Sequence, residues 1–261
     1  MNEYTEILEN SVNRLFGDIS GKPESAENWE LVEELGILNL FLPEELGGMD
    51  GGWQEASIVF RLCGYHALPL PVGETMIARR LLHESGKEIP SGPLNLNDVV
   101  TGETLMKYGA YMRTSQISGA ILACLEKTVD YTRDRKQFGR QLSKFQAIQH
   151  QLALLAEEAA AVASASAAAA LALDRSDGGF EVSCAKLRAN EAAGVVAGIS
   201  HQLHGAIGIT KEFGLYRHTQ RLWAWRAEFG NNRYWAQRIG KYVLGNSDNS
   251  AWDLITSRGN R

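Results

Sequence analysis

Cysteine is scarce in this sequence, and its spacing excludes several classes of protein. The three cysteines, Cys63, Cys124 and Cys184, are far apart in a chain of 261 residues. The CxxC spacing of zinc and redox sites is absent, and an odd number of thiols does not make a disulfide framework. We therefore expect a reduced, cytoplasmic protein. No metal site is expected either, because His201 and His204 lack the carboxylate or cysteine ligands that would complete one.

An excess of positive charge is also lacking. The chain has 26 Lys and Arg residues against 31 Asp and Glu residues, a formal net charge of −5. Because a nucleic-acid-binding domain normally carries a dominant basic surface, nucleic acid is not expected as a partner. No uninterrupted apolar run reaches the ~20 residues that span a bilayer, and the acidic, amphipathic N-terminus is unlike a signal peptide. No membrane association is expected.

Alternating apolar and polar positions, the pattern of half-buried strands, are almost absent, whereas helical periodicity is extensive. Long helical patterns cover 105–135, 143–174, 181–208 and 218–243. The sequence therefore predicts an all-α protein. Its predicted parts are an N-terminal helical domain at 1–86, a linker at 87–104, a C-terminal antiparallel four-helix bundle at 105–246 and a tail at 247–261.

One short segment, RDRKQFGRQ at 133–141, surrounds Gln137 and Phe138 with basic residues. In one interpretation it is a helix C-terminus, where basic residues complement the helix dipole and Gly139 is the C-cap. In the other, it binds an anionic or flat ligand. The residues alone leave both interpretations open.

Two glycine-containing segments have different meanings. GGMDGGW at 47–53 lacks the Lys-Ser/Thr of a phosphate-binding loop and is expected to be a structural turn. HGAIG at 204–208 lacks the full dinucleotide fingerprint, but its glycines would allow a ligand to approach the backbone closely. Nucleophilic catalysis is not expected, because there is no GxSxG motif and no cysteine with an evident base partner.

The order DYTRDRKQFGRQLSKFQAIQHQLALLAEEAAA followed by QLHGAIGITKEFGLYRHTQR resembles the C-terminal domain of the acyl-CoA dehydrogenases. LGILNLFLPEELGGM resembles an early helix and turn of that family, and the likeness covers most of 25–245 apart from the linker. It implies FAD-dependent α,β-desaturation of an acyl-CoA thioester, in which a glutamate removes the α-proton and the β-hydride passes to FAD. An electron-transfer flavoprotein is implied as a further partner.

The resemblance also implies a set of FAD-binding residues. In the family, an Arg-x-x-Phe-Gly segment and a Gln-x-x-Gly-Gly segment bind the pyrophosphate and adenosine end of FAD across a dimer interface. The matching residues here are Arg135, Gln137, Phe138, Gln202, His204, Gly205 and Gly208. A guanidinium group suits a pyrophosphate because it can donate two parallel hydrogen bonds. Ala206 departs from the family, which usually has glycine there, and its methyl group is expected to narrow the pocket.

Two parts of the family pattern are missing. The family's middle β-domain, which holds one face of the isoalloxazine and part of the acyl-CoA site, is replaced by the 87–104 linker. The usual position of the catalytic glutamate falls on Phe229, and the alternative position near Gly109 has no carboxylate. Glu228 is a weak candidate for the base, since a shift of one residue, about 100° on a helix, should direct it elsewhere.

These losses lead to three hypotheses. The first is a catalytically degenerate subunit that completes the FAD site of a full-length paralogue, which would itself bind most of the acyl-CoA. YHALPLPVGETMIARRLL and GAYMRTSQISGAI resemble the heteromeric bacterial acyl-CoA dehydrogenases of steroid breakdown. The alternative is a non-catalytic dimerisation or scaffold module of the same descent, and the third is a self-sufficient enzyme using Glu228. A homo- or hetero-oligomer is expected, because helices 143–173 and 182–207 commonly form the family's dimer face.

Overall fold

The computed structural model describes residues 3–22, 25–175, 178–245 and 250–258. Within these ranges, the strands are an antiparallel pair, β1 (Lys136–Gln137) and β2 (Arg140–Gln141). The predicted all-α class is confirmed. The helices are α1 (Glu3–Ile19), α2 (Ala26–Glu34), α3 (Trp53–Tyr65), α4 (Val72–Glu84), α5 (Leu96–Val99), α6 (Gly102–Asp134), α7 (Gln146–Arg175), α8 (Gly179–His204), α9 (Leu215–Trp225), α10 (Asn232–Gly245) and α11 (Ala251–Arg258).

The N-terminal helices α1 to α4 pack around an apolar core that continues into the long helices. Phe16 of α1 and Phe60 of α3 are fully buried in it, together with Tyr111 of α6 and Val182 of α8. Helix α3 lies along α6. Since burial of apolar surface is the main stabilising term, the N-terminal unit and the bundle hold each other in place.

The bundle has α6, α7 and α8 as its long members, around a second apolar core that includes Ile121, Leu155 and Val196. The fourth helix predicted over 218–243 is two helices. Helix α9 packs on α6 and α8, and α10 packs on α8. The chain leaves helical geometry between them because Phe229 and Gly230 have φ angles of 51° and 100°.

The basic segment begins at a helix C-terminus, with Arg133 in the last turn of α6, and continues as a hairpin, so the prediction that Gly139 is the helix C-cap is wrong. Helix α6 ends at Asp134, and Arg135 is already extended, with φ −73° and ψ 124°. The chain reverses at Phe138 and Gly139, whose φ angles of 52° and 79° are those of a tight hairpin turn. Gly139 therefore lies in the turn that connects β1 to β2.

The stretch between α4 and α6 is short and carries only α5 as regular structure. Leu96 of α5 is fully buried, and the Leu94 backbone N–H donates to Thr75 Oγ1 at 3.0 Å. The predicted linker is therefore attached to the helical core at these two points. In the predicted tail, residues 251–258 form α11, whereas 246–249 and 259–261 lie outside the described residues.

Helix α7 has an alanine-rich surface. By length and composition it is the one helix in the described ranges that could cross a membrane. It packs against α6 and α8, an arrangement equally typical of a bundle helix. Its outer face has a stripe of exposed small residues, Ala153, Ala156, Ala160, Ala163 and Ala167.

Candidate functional site

The hairpin extends from the end of α6 and presents polar and aromatic side chains to solvent. Arg135 and Gln137 are exposed, and Phe138 is 89% exposed. The Phe138 ring meets the ring of Phe145 edge to face at 6.2 Å, and the Arg140 guanidinium lies 4.1 Å from the centre of the Phe145 ring. Exposed guanidinium and aromatic groups side by side suit a ligand that is both flat and anionic.

The second predicted segment begins where α8 ends. Gly205, with φ 63° and ψ −145°, adopts a conformation that other residues rarely adopt, and a 3-10 turn follows over Gly205–Ile209. Gln202, Gly205 and Ala206 are exposed, so a ligand could reach them. Gly208 is buried, and a Cβ there would lie 2.9 Å from His204 Cβ. Gly208 therefore has a packing role within this turn.

His204 lies between the two segments, inside the protein. Only 4% of it is exposed, its ring stacks on Tyr131 at 4.6 Å, and its Nδ1 lies 2.7 Å from the Ser200 carbonyl oxygen. Burial lowers the pKa of His204, which keeps the ring neutral at pH 7. Because Tyr131 belongs to the last turn of α6, the stack joins the base of the hairpin to the end of α8. The structure thus connects the end of α6, from which the hairpin extends, to the end of α8 through His204.

The two positions at which the family resemblance places a base lie against each other. Gly109 is on α6, and Phe229 is in the turn between α9 and α10. A Cβ at Gly109 would lie 2.4 to 2.6 Å from three ring carbons of Phe229. Real Cβ atoms do not approach this closely, so the phenyl ring occupies the volume that a side chain at 109 would need.

Glu228 is directed toward a guanidinium group. Its Oε2 accepts a hydrogen bond from Arg113 Nε at 2.7 Å, and Arg113 Nη2 is 2.7 Å from Glu74 Oε1. The Arg113 and Glu74 side chains are 12% and 16% exposed, and Glu228 is 41% exposed. The Glu228 carboxylate is therefore already engaged in an ion pair with Arg113.

Lys186 is a buried lysine that was not predicted from the sequence as a functional residue. It is fully buried on α8, and its Nζ donates to Asn190 Oδ1 at 2.6 Å and to the Trp225 carbonyl at 2.7 Å. Burial, reinforced by the positive charge of Arg113, lowers the pKa of Lys186 to about 7. The only hint in the sequence is a lysine among the small residues of an otherwise buried helix face.

His201, the other histidine at the end of α8, contacts a side chain of helix α9. His201 Nε2 lies 2.9 Å from Thr219 Oγ1. Among the described residues, no group of three or more His, Cys, Asp or Glu side chains is arranged to hold a metal ion. A cavity of about 270 Å³ lies elsewhere, where α3, α4 and the end of α7 meet. None of the predicted cofactor residues lines it.

Comparison with known proteins places this geometry in a family. Residues 100–244 match the family described as acyl-CoA dehydrogenase, C-terminal domain. The acyl-CoA dehydrogenase IpdE2 of Mycolicibacterium smegmatis is 26% identical over 254 residues, covering 74% of this chain and 80% of the relative. The bovine mitochondrial short/branched chain specific acyl-CoA dehydrogenase is 35% identical over 100 residues, covering 38% of this chain and 23% of the relative.

Two solved structures share the fold. The Tcur3481-Tcur3483 steroid ACAD G363A variant has a TM-score of 0.84 at 18% identity, covering 95% of this chain and 99% of that one. The ChsE4-ChsE5 complex from Mycobacterium tuberculosis has a TM-score of 0.82 at 17% identity, covering 94% and 98%. With more than half of its length matched by the family's C-terminal domain, the chain belongs to the acyl-CoA dehydrogenase family.

Proposed function

We propose that this chain is a catalytically degenerate subunit of an FAD-dependent acyl-CoA dehydrogenase, and that it completes the FAD site of a full-length paralogue. The main support for the proposal is that this chain keeps the cofactor-binding segments but has no carboxylate at either base position. The exposed hairpin and the glycine turn retain the groups that suit the pyrophosphate and adenosine of FAD. Both base positions, by contrast, lack a carboxylate and are packed together.

The donor set fits FAD at its anionic end. Arg135, Gln137, Phe138, Gln202 and Gly205 are all exposed, and the His204–Tyr131 stack joins the helix ends from which their two segments extend. When bound, FAD would supply the acceptor for the β-hydride. This chain's own residues would bind the cofactor's phosphates and cover its adenosine. His204 and Gly208 are buried, so their part is to shape the turn.

The partner is proposed from the same considerations. The solved structures that share this fold include the Tcur3481-Tcur3483 steroid ACAD variant and the ChsE4-ChsE5 complex. We propose a heteromer with a full-length paralogue that binds the acyl-CoA, in the cytoplasm, with electrons leaving through an electron-transfer flavoprotein. The exposed alanine stripe of α7 would allow close approach of a partner helix, because small side chains reduce the distance between helix backbones.

The test is the flavin content of the complex. The chain is co-expressed with a full-length paralogue encoded nearby, and bound FAD is measured by visible absorbance per mole of complex. Arg135→Ala is expected to lower the FAD content or weaken FAD binding at least about tenfold, the loss typical of one charge-assisted contact. Arg14→Ala, an exposed arginine on α1, is the matched control and should have no effect.

The outcomes separate the hypotheses. An unchanged flavin content in Arg135→Ala contradicts cofactor binding by the hairpin and favours the scaffold module. Oxidation of a thioester by the pure chain with added FAD, lost in Glu228→Gln, would favour the self-sufficient enzyme instead. The ion pair between Glu228 and Arg113 argues against that last outcome.

A further inference from the structure

The turn between α9 and α10 holds Phe229 in a backbone conformation that phenylalanine rarely adopts. Its φ angle is 51°, in the left-handed region, and Gly230 follows with φ 100°. A bulky residue persists there only where its surroundings determine the conformation. In this chain the conformation places the phenyl ring against Gly109 of α6.

Buried polar groups from two other helices fix the backbone of this turn. Lys186 Nζ donates to the Trp225 carbonyl at 2.7 Å, and Asn190 Nδ2 donates to the Gly230 carbonyl at 3.2 Å. Trp235 Nε1 donates to the Phe229 carbonyl at 3.0 Å. The end of α9 and both Phe229 and Gly230 are therefore held by α8 and α10, while the Phe229 ring contacts α6.

Two ion pairs to one arginine form a bridge that connects the turn between α9 and α10 to helix α4. Arg113 on α6 pairs with Glu74 on α4 and with Glu228 in the turn, each at 2.7 Å. Helices α4 and α6 are also closely packed, since a Cβ at Gly73 would lie 2.7 Å from Met112 Sδ. The bridge thus connects the N-terminal unit, the long helix and the turn at one point.

We propose that Phe229 is a plug that closes this chain's own acyl cleft, with the Glu74–Arg113–Glu228 bridge as its latch and Lys186 as its anchor. The cleft is the place where the two family base positions meet and where the α-carbon of a substrate would lie. The proposal rests on the proposed function only for the identity of this cleft. It requires neither FAD nor a partner, and it implies that an acyl chain binds only in the partner's subunit.

The experiment uses the full chain, purified alone, and S-octyl-pantetheine as the probe. This thioether has an eight-carbon alkyl chain in place of the acyl group and keeps the pantetheine arm, but it has no nucleotide or phosphate, so it cannot bind the hairpin through phosphates. The variant is Phe229→Gly, since glycine adopts the observed φ without strain. The wild-type chain should show no saturable binding up to about 1 mM. Phe229→Gly should bind at least roughly tenfold more tightly, the discrimination typical of a small change in an apolar pocket.

The control variant fills the volume of the removed Phe229 ring with a side chain from helix α6. Gly109→Leu in the Phe229→Gly background should abolish the new binding, because a leucine at 109 extends into the volume the ring has left. The proposal is overturned if the wild-type chain binds as tightly as Phe229→Gly, if the folded variant binds no more tightly than wild type, or if the double variant still binds.

A second measurement does not depend on removing the ring. In Glu228→Gln the latch is weakened while Phe229 remains, so hydrogen exchange of the 226–231 amides should accelerate several-fold relative to wild type. Unchanged exchange would contradict the latch. The flavin content of the heteromer should be unchanged in Phe229→Gly, so failure of the plug and failure of the FAD proposal are separate results.

Discussion

The phenyl ring of Phe229 and the missing side chain of Gly109 are complementary, because a Cβ at 109 would overlap ring carbons at 2.4 to 2.6 Å. Alanine is normally about 1 kcal/mol better than glycine inside a helix. Here the overlap with the Phe229 ring should make alanine less favourable than glycine. We therefore expect Gly109→Ala to lower the free energy of unfolding by about 1–3 kcal/mol, the usual cost of overpacking. Urea unfolding would measure it.

Two controls isolate the contact. Gly240→Ala in α10, where a Cβ meets no atom within 4 Å, should be neutral or stabilising. In a Phe229→Gly background, Gly109→Ala should lose its cost, since the ring is gone. If Gly109→Ala lowers the free energy of unfolding equally in both backgrounds, residues 109 and 229 are not coupled, and the contact between them does not contribute to stability.

Arg113 holds two carboxylates of unequal exposure, and this predicts unequal effects. Arg113→Met leaves Glu74, 16% exposed, without its partner, and should cost about 3 kcal/mol, as removal of one member of a buried pair does. Glu228→Gln should cost less than about 1 kcal/mol, because Glu228 is 41% exposed and solvent screens the pair. Denaturant unfolding of both variants would check the order, and a larger loss in Glu228→Gln would contradict it.

Much of the fold follows from the sequence because helical periodicity is a local property. The long helices over 102–134, 146–175 and 179–204 lie close to their predicted bounds. The break at Phe229 was missed, since tertiary hydrogen bonds from Asn190 and Trp235 impose its left-handed conformation. The hairpin was missed for a similar reason, because Gly139 suits a helix C-cap and a hairpin turn equally well.

The candidate site was only partly readable from sequence. The motif residues could be identified through the family resemblance, but their burial could not, and His204 proved to lie inside the protein. Arg113 and Lys186 carry no motif. Their importance depends on partners from helices distant in the chain, and no periodic pattern encodes such contacts.

Asp174, at the end of α7, caps helix α3 from 121 residues away in the chain. Its Oδ1 accepts from the Trp53 N–H at 2.6 Å, and its Oδ2 accepts from the Gln54 N–H at 3.2 Å. Asp174→Ala should lower the free energy of unfolding by about 1–2 kcal/mol, the cost of losing an N-cap. Asp174→Asn, which keeps one oxygen acceptor, should cost less. Equal thermal unfolding midpoints for the wild type, Asp174→Ala and Asp174→Asn would contradict the capping role of Asp174.

Phe138 should matter for the cofactor and not for the fold. Its ring is 89% exposed at the tip of the hairpin, so Phe138→Ala is expected to change the free energy of unfolding by less than about 0.5 kcal/mol. If the proposed heteromer forms, its flavin retention should fall in Phe138→Ala, because a flat contact beside the proposed phosphate site is lost. Gel filtration followed by the absorbance ratio of flavin to protein measures this. A destabilised chain with normal flavin content would contradict both expectations.

His218 should make the protein sensitive to acid. It is 5% exposed, its Nε2 lies 2.9 Å from the Tyr65 carbonyl oxygen, and burial lowers its pKa from 6.5 to about 4. The unfolded chain therefore takes up a proton near pH 6.5 while the folded chain does not, so the free energy of unfolding falls as the pH drops from 6.5 to about 4. The full shift corresponds to about 3 kcal/mol. Urea unfolding at pH 7.5 and 4.5 should show this loss in the wild-type chain and a smaller loss in His218→Gln, whose amide can still donate to Tyr65. The other buried histidines act equally in both proteins and cancel in the difference, so the same loss in both would contradict the role of His218.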